Sequence, residues 1–366
     1  MSSGSPLHIV HVVESFGGGV IGFVEQLCRH LPNHRHTVLH AVRAGEVDPQ
    51  ITQARFPAEV AFVLWPHAVR EIAPVADLRA LLALMRTLPK LKADVVHLHS
   101  SKAGFLGRIA CRMLGIRAVV YTPGGAAILR QDITEARRNL YGRLEAIGHR
   151  FGGQVVACGR GEAQALAQYG VPAQVIANGT EPGSPPPQRP GLEGRPLTVL
   201  TLGRATVQKD PGRFGRIAQS LEAEGRYRFV WVGSGELEHL LPRPAVEVTG
   251  WLPASDVRGL LEKADIYLST AIWEGLSLAV LEGMAAGLPL LLSDCPGNTD
   301  VVEPGKNGAL FHTDEEALET LRRWAEQPEQ LAALGAESRR LLVEEHDVHR
   351  VALRYEKLYR QLAGKA

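Results

Sequence analysis

Short runs of β-branched and aliphatic residues alternate along this chain with segments whose apolar positions recur at helical spacing. Ile9 to Val13, Thr37 to Val42, Val95 to His99, Ala118 to Thr122 and Gln154 to Cys158 read as buried strands, being apolar runs bounded by turn residues. Between them, Phe23, Val24, Leu27, Cys28 and Leu31, and again Leu78, Leu81, Leu82, Met85 and Leu88, mark amphipathic helices. Parallel strands covered by helices on both faces produce this alternation. Prolines and glycines are too dense in EPGSPPPQRPGLEGRP for helix or strand, so an exposed connector is expected over 183–196. The alternation then restarts, with strands expected at Leu197 to Gly203, Arg228 to Gly233, Val246 to Gly250, Ile266 to Thr270 and Leu288 to Ser293. The pattern predicts an α/β protein of two facing Rossmann-like, doubly wound domains, 1–182 and 197–347. A last helix within 348–366 carries Val351, Tyr355, Leu358, Tyr359 and Leu362 on one stripe, which either completes the second domain or packs back on the first.

A length of 366 residues agrees with two domains. Lys and Arg number 40 against 39 Asp and Glu, a net charge of +1, so no global field attracts nucleic acid and any anion must be gripped locally. The four cysteines, Cys28, Cys111, Cys158 and Cys295, lack the spacing of a zinc site or a disulfide framework. The start lacks the charged and apolar regions of a signal peptide, and the longest apolar stretch, Leu276 to Leu292, is broken by Glu282, two glycines and Pro289. A cytoplasmic protein without a membrane span is expected.

Candidate chemistry gathers after the expected strands. Gly17, Gly18 and Gly19 follow the first strand, and Gly17, Gly19 and Gly22 formally satisfy a dinucleotide fingerprint. However, Arg43 stands where an NAD-binding unit needs an acid for the ribose, so NAD is disfavoured. The broader reading is that the glycines let backbone amides approach an anion at a helix start; the plain alternative is a tight turn. Gly233 and Gly235 repeat the arrangement in the second domain. Arg204 and Lys209, past the first strand of that domain, suit a diphosphate, the guanidinium as a planar fork and the ammonium as a point charge. Glu274 and Glu282 flank an expected helix start with seven residues between them, roughly 12 Å at helical rise. The amides of Gly275, Leu276 and Ser277 would face phosphates lying between the two acids. Glu282 sits among Leu278, Val280, Leu281, Met284 and Ala285, where a carboxylate requires a partner.

With GGG near the start, HLHSSKAGFLGR, NGT, GR followed by K, VGSGE, GWLP and EGLSLAVLE, the chain resembles the retaining, nucleotide-sugar-dependent glycosyltransferases of the GT-B fold, the large family four of bacterial polysaccharide and glycolipid enzymes. The resemblance implies transfer of a sugar from a UDP- or GDP-sugar to a glycan or lipid-linked acceptor, with retention and without metal or other cofactor. It further implies that Arg204 and Lys209 bind the donor diphosphate, Glu274 the sugar hydroxyls and Glu282 the ribose, with Gly17 to Gly19 closing on the phosphates. One departure stands out: relatives carry a histidine in the loop after the fourth strand, where YTPGGAAIL has Gly124. His99, Ser100, Lys102 and Gly124 are expected on the acceptor side. His97 and His99 share a strand face, yet a metal pair lacks an evident third ligand. Arg130, Arg137, Arg138, Arg143 and Arg150 surround a helix with Leu140, Leu144 and Ile147, a solvated face or a peripheral membrane contact. Trp251 offers either a stacking face for a base or core packing. A nucleotide-sugar epimerase and a catalytically silent nucleotide-binding homologue are the alternatives.

Overall fold

The computed structural model describes residues 4–14, 16–42, 49–69, 71–185 and 194–365. Arg43 and most of the expected connector, 186–193, lie outside the described residues. The chain divides into two compact units, one comprising Met1–Leu129, Ile133–Asn178 and Val348–Ala366, the other Arg130–Asp132 and Gly179–Asp347. The sequence-based boundary at 182 falls inside the second unit, where the Thr180 amide donates to the His346 carbonyl at 3.0 Å.

The first unit runs β1 (His8–Val13), α1 (Gly18–His30), β2 (Arg35–His40), α2 (Pro49–Gln53), β3 (Ala61–Leu64), α3 (Pro74–Leu91), β4 (Val95–His99), α4 (Ser101–Met113), β5 (Val119–Thr122), α5 (Glu135–His149), β6 (Gln154–Ala157), α6 (Arg160–Ala167) and β7 (Gln174–Val175). The second runs β8 (Leu197–Leu202), α7 (Pro211–Glu222), β9 (Tyr227–Val232), β10 (Val246–Val248), α8 (Ala254–Lys263), β11 (Ile266–Ser269), α9 (Leu278–Ala285), β12 (Leu290–Ser293), α10 (Pro296–Thr299), β13 (Gly308–Phe311), α11 (Asp314–Glu326) and α12 (Pro328–Glu345). Helix α13 (Val348–Leu362) then joins the first unit.

Both sheets are parallel and doubly wound, in the orders β3-β2-β1-β4-β5-β6-β7 and β10-β9-β8-β11-β12-β13. These are two Rossmann-like domains. In each, the strand order reverses beside the first strand, between β1 and β4 and between β8 and β11, and ligands of such sheets collect past the strand ends at that reversal. The short edge strands β3, β7 and β13 escape the sequence pattern, because two to four residues carry too little periodicity.

One face of the first sheet packs Val10, Val12, Leu39, Val96, Leu98 and Tyr121 against α3 and α4. The other lies under α1 and α13: Val24 and Cys28 meet Val13 and Val38, while Tyr359 of α13 bonds through its hydroxyl to His97 Nδ1 at 2.7 Å. Phe214, Ile217, Trp231, Leu268, Leu291 and Phe311 centre the core of the second unit. Among the described residues no helix is long and apolar enough to cross a membrane.

Candidate active site

The loop after β8 and the loop after β11 meet at the reversal point of the second sheet. Asp210 starts α7 in the left-handed region, φ 45°, and its side chain accepts from the Arg213 amide at 2.9 Å, a polar cap that turns the chain sharply. Thr270 Oγ1 lies 2.8 Å from the Lys209 carbonyl and 3.0 Å from the Asp210 carbonyl, and the Ile272 amide donates to the Gln208 carbonyl at 2.8 Å. The two loops are thus stitched by the Thr270 hydroxyl and one backbone bond before any charged side chain acts. Lys209 Nζ donates to Glu274 Oε1 at 2.6 Å and to Ser277 Oγ at 3.2 Å, and Gln208 Nε2 donates to Glu274 Oε2 at 3.3 Å and to the Trp273 carbonyl at 3.1 Å. An ammonium has three donors and a carboxylate about four acceptor positions, so both ends of the pair retain capacity for a ligand. Glu274 is buried and Lys209 half-buried, where charge acts more strongly than in water.

Arg204 is exposed, and no hydrogen bond or ion pair among the described residues engages it. It follows Gly203, on whose backbone the Lys209 stem rests, with Cε 3.2 Å from where a Gly203 Cβ would stand. Both cations stand on the loop after β8. Helix α9 begins at Leu278 with Ser277 as its N-cap, leaving Gly275 and Leu276 on the approach to it and Glu282 half-buried in its second turn. Burial pushes the Tyr267 hydroxyl well up, with the charges of Glu282 and Glu274 adding to the rise, and Gly283 lets α9 lie directly on the Tyr267 ring.

Gly233 takes φ 129°, and a Cβ there would stand 2.2 Å from the Gly203 carbonyl oxygen; at Gly235 it would stand 2.5 Å from the Ala205 carbonyl oxygen. The loops after β8 and β9 touch backbone to backbone, so packing alone requires these glycines. Gly233 also bridges to Gly250, which brings Trp251 to the same rim. Trp251 is 66% exposed, so the core reading fails and its ring is open for stacking.

In the first unit, Gly17 caps α1, Gly18 has φ 66°, and Gly18 and Gly19 are exposed; nothing lies within 4 Å of a Cβ at Gly17 or Gly19. Gly124, with φ 64°, is exposed and lies beside Val20 of the same helix start, 3.9 Å from its would-be Cβ. Ser100 caps α4 at φ 70°, unusual for serine, and donates to Glu14 Oε2 at 3.3 Å.

The acceptor-side expectation at His99 is corrected here. His99 is 1% exposed, because odd-numbered positions of β4 face the α1 and α13 layer rather than solvent. Lys102 turns to α3, where Nζ is held by Asp77 at 2.6 Å and by the Glu71 carbonyl.

Residues 17–183 match the family described as Glycosyltransferase Family 4, and residues 187–341 the one described as Glycosyl transferases group 1. The chain is a group 1 glycosyltransferase. An Escherichia coli UDP-Gal:alpha-D-GlcNAc-diphosphoundecaprenol alpha-1,3-galactosyltransferase is 27% identical over 68% of this chain and 70% of its own. Sucrose-phosphate synthase of Thermosynechococcus elongatus superposes with a TM-score of 0.80, at 14% identity over 98% of this chain and 100% of that one. Anabaena HepE, solved in complex with UDP and glucose, gives 0.77 at 17% identity over 97% and 100%.

Elsewhere in the glycosyltransferase, the expected His97 and His99 pair does have a third neighbour. Register places His11 of β1 opposite His97, and the ligand atoms of all three lie within 4.8 Å of one another, as do those of His11, Cys28 and His36. Most of their nitrogens are already committed. His36 Nε2 donates to the Leu31 carbonyl (3.0 Å), so its Nδ1 accepts from His11 Nε2 (3.2 Å), and His11 Nδ1 in turn accepts from His99 Nε2 (3.1 Å). His97 is held between Tyr359 and Thr122 at 2.7 and 2.8 Å. Burial lowers the His36 pKa to about 4 and that of His99 to about 3, and drives His11 and His97 well below their ordinary value, with neighbouring imidazoles adding to it. This is a neutral hydrogen-bond ladder, and a metal would have to break it. The sequence reading missed Gln208, whose only signal was its place beside Lys209.

Proposed function

We propose that this glycosyltransferase moves a hexose, with retention and without metal, from a UDP-sugar to a lipid-diphosphate-linked sugar. The observation that carries this reading is the juxtaposition of an unengaged Arg204, Lys209 and the α9 start at one strand reversal. As the bond from the anomeric carbon to the diphosphate breaks, negative charge grows on the leaving phosphate oxygen. Arg204, the third Nζ hydrogen of Lys209 and the amides of Gly275 and Ser277 are set to stabilise that charge more in the transition state than before. Two cations, Lys209 held by Glu274 and Arg204 free to meet the ligand, supply charge compensation that a divalent ion would otherwise provide. The free acceptor positions of Glu274 take sugar hydroxyls, Glu282 takes the ribose, and Trp251 stacks on the base. A pyrimidine diphosphate is favoured by the E. coli relative named for UDP-Gal and by HepE, which holds UDP.

The acceptor is assigned to the first unit, at Ser100 and Gly124, beside the exposed helix start at Gly17 to Gly19 whose amides suit the donor phosphates. Leu140 and Ile147 are 47% and 43% exposed and share a face of α5 with Arg143 and Arg150, which supports a peripheral contact with a lipid surface. The E. coli relative's diphosphoundecaprenol acceptor favours the same arrangement.

Calorimetric titration with UDP and GDP tests the donor. Saturable UDP binding that Glu282→Ala weakens supports the site, and equal failure of both nucleotides refutes it. Product formed from UDP-galactose and a polyprenyl-diphosphate-linked N-acetylglucosamine, in chelator, should carry an α linkage by NMR. A β linkage would overturn retention, loss of activity in chelator would overturn metal independence, and an altered donor without added acceptor would indicate epimerisation.

A further inference from the structure

Glu162 is wholly buried, yet it is met by backbone rather than by a cation. Its Oε1 accepts from the amides of Gly125 at 2.8 Å and Ala126 at 2.6 Å, and its Oε2 from the amide of Cys158 at 2.9 Å. The residue is third in α6, after the Gly159 N-cap, the position from which a glutamate ordinarily reaches back to the helix start. One oxygen reaches back in this way, to the amide of Cys158 just before the cap; the other reaches across to the turn after β5. In that turn Gly124 and Gly125 both adopt left-handed conformations, φ 64° and 94°, which aim consecutive amides into one concavity of the kind that holds anions. The carboxylate fills it. The opposite, exposed side of the same turn is Gly124, beside Val20 at the start of α1. Burial raises the Glu162 carboxyl above its ordinary range, with the three amides working against that rise.

We propose that Glu162 is a positioning residue for the acceptor: it fixes the turn at 123–126 against the first turn of α1, so that the acceptor meets ordered backbone at Gly124. This rests on the assignment of the acceptor to that turn, which the donor measurements do not touch. The turn has no side chain at Gly124 to hold itself in place, and its two left-handed residues gain no stability locally, so an anchor from α6 must supply the order.

Glu162→Gln keeps the size but sets an amide NH2 against an inward-pointing N–H. Exchange at the Gly125 and Ala126 amides should speed up by roughly tenfold or more, with β5 and α6 amides unchanged. With UDP-galactose and polyprenyl-diphosphate-linked N-acetylglucosamine, the KM for acceptor should rise and kcat should fall by about tenfold, as a small misplacement of a reactant costs. UDP affinity should stay at the wild-type value, since Arg204, Lys209, Glu274 and Glu282 lie in the other unit. Gly125→Ala, which keeps the carboxylate but strains the 94° conformation, should give the same split and serves if Glu162→Gln fails to fold. Wild-type acceptor KM in both folded variants overturns the proposal, as does an equal loss of donor and acceptor parameters. Absent UDP binding in the wild type would refute the donor site instead, and unchanged exchange at Gly125 and Ala126 would then still overturn the anchor.

Discussion

Two groups of titratable side chains sit at corresponding places in the two sheets and behave in opposite ways. In the second unit, Lys209 and Glu274 stand on loops past the ends of β8 and β11, half-buried or buried, paired, and with bonding capacity left over. In the first, His11, His97 and His99 stand on β1 and β4 themselves, under a helical layer, with most of their nitrogens used by one another and by Tyr359 and Thr122. A strand position facing a helix must be dry and must satisfy its polar atoms internally. A loop past the strand ends keeps access to ligand. Titratable side chains are therefore available to a ligand in one place and structural in the other.

The comparison breaks most visibly in activity. Arg204→Ala, which removes an exposed and unengaged cation, should lower turnover by roughly 10²-fold or more with an unchanged melting temperature. Full activity in that variant would remove the loop residues from the chemistry. Lys209→Ala should lower turnover similarly but also cost stability, because it leaves Glu274 buried with only Gln208 beside it.

Next comes stability. His11→Ala leaves one nitrogen each of His36 and His99 unpaired and opens a cavity, so denaturant titration should show a loss of about 2–4 kcal/mol. Turnover per folded molecule should hold. A large loss of kcat at unchanged stability would mean that the ladder takes part in catalysis.

The pH dependence sharpens the contrast further. The folded-state pKa values of His36 and His99, about 4 and about 3, lie below the ordinary 6.5, so the unfolded chain takes up protons first as pH falls. Their contribution is complete above about pH 6.5 and is lost on acidification towards those folded values, at up to ~1.4 kcal/mol per pH unit for each group. Urea midpoints should therefore fall between pH 6.5 and 4, less steeply in His36→Phe. A flat profile would contradict neutral, buried imidazoles.

The smallest effect is expected at Trp251. Trp251→Ala should leave stability unchanged, since the ring is mostly exposed, and should weaken UDP binding by about 1 kcal/mol if it stacks on the base. Unaltered affinity would move the base elsewhere.

Ten strands were legible as apolar runs or alternations, including β4 at its observed limits, because buried parallel strands leave continuous β-branched stretches in any sequence. Arg204, Lys209 and Glu274 were legible too, since charged residues just after such runs fall at strand ends. The environment of His99 and Lys102 was not. Both follow the pattern of a strand leading into a helix, and nothing local says that α13 returns to cover the one or that Asp77 captures the other.

Residue order alone determined the two parallel sheets and the cations and acids at one strand reversal, because both follow from short-range periodicity and from which residues end each strand. Tertiary structure alone decided that Trp251 is exposed, that the histidines are locked and neutral, and that Glu162 holds a turn distant in sequence. Those properties belong to neighbours brought together from far along the chain, and burial and hydrogen bonding are set by neighbours.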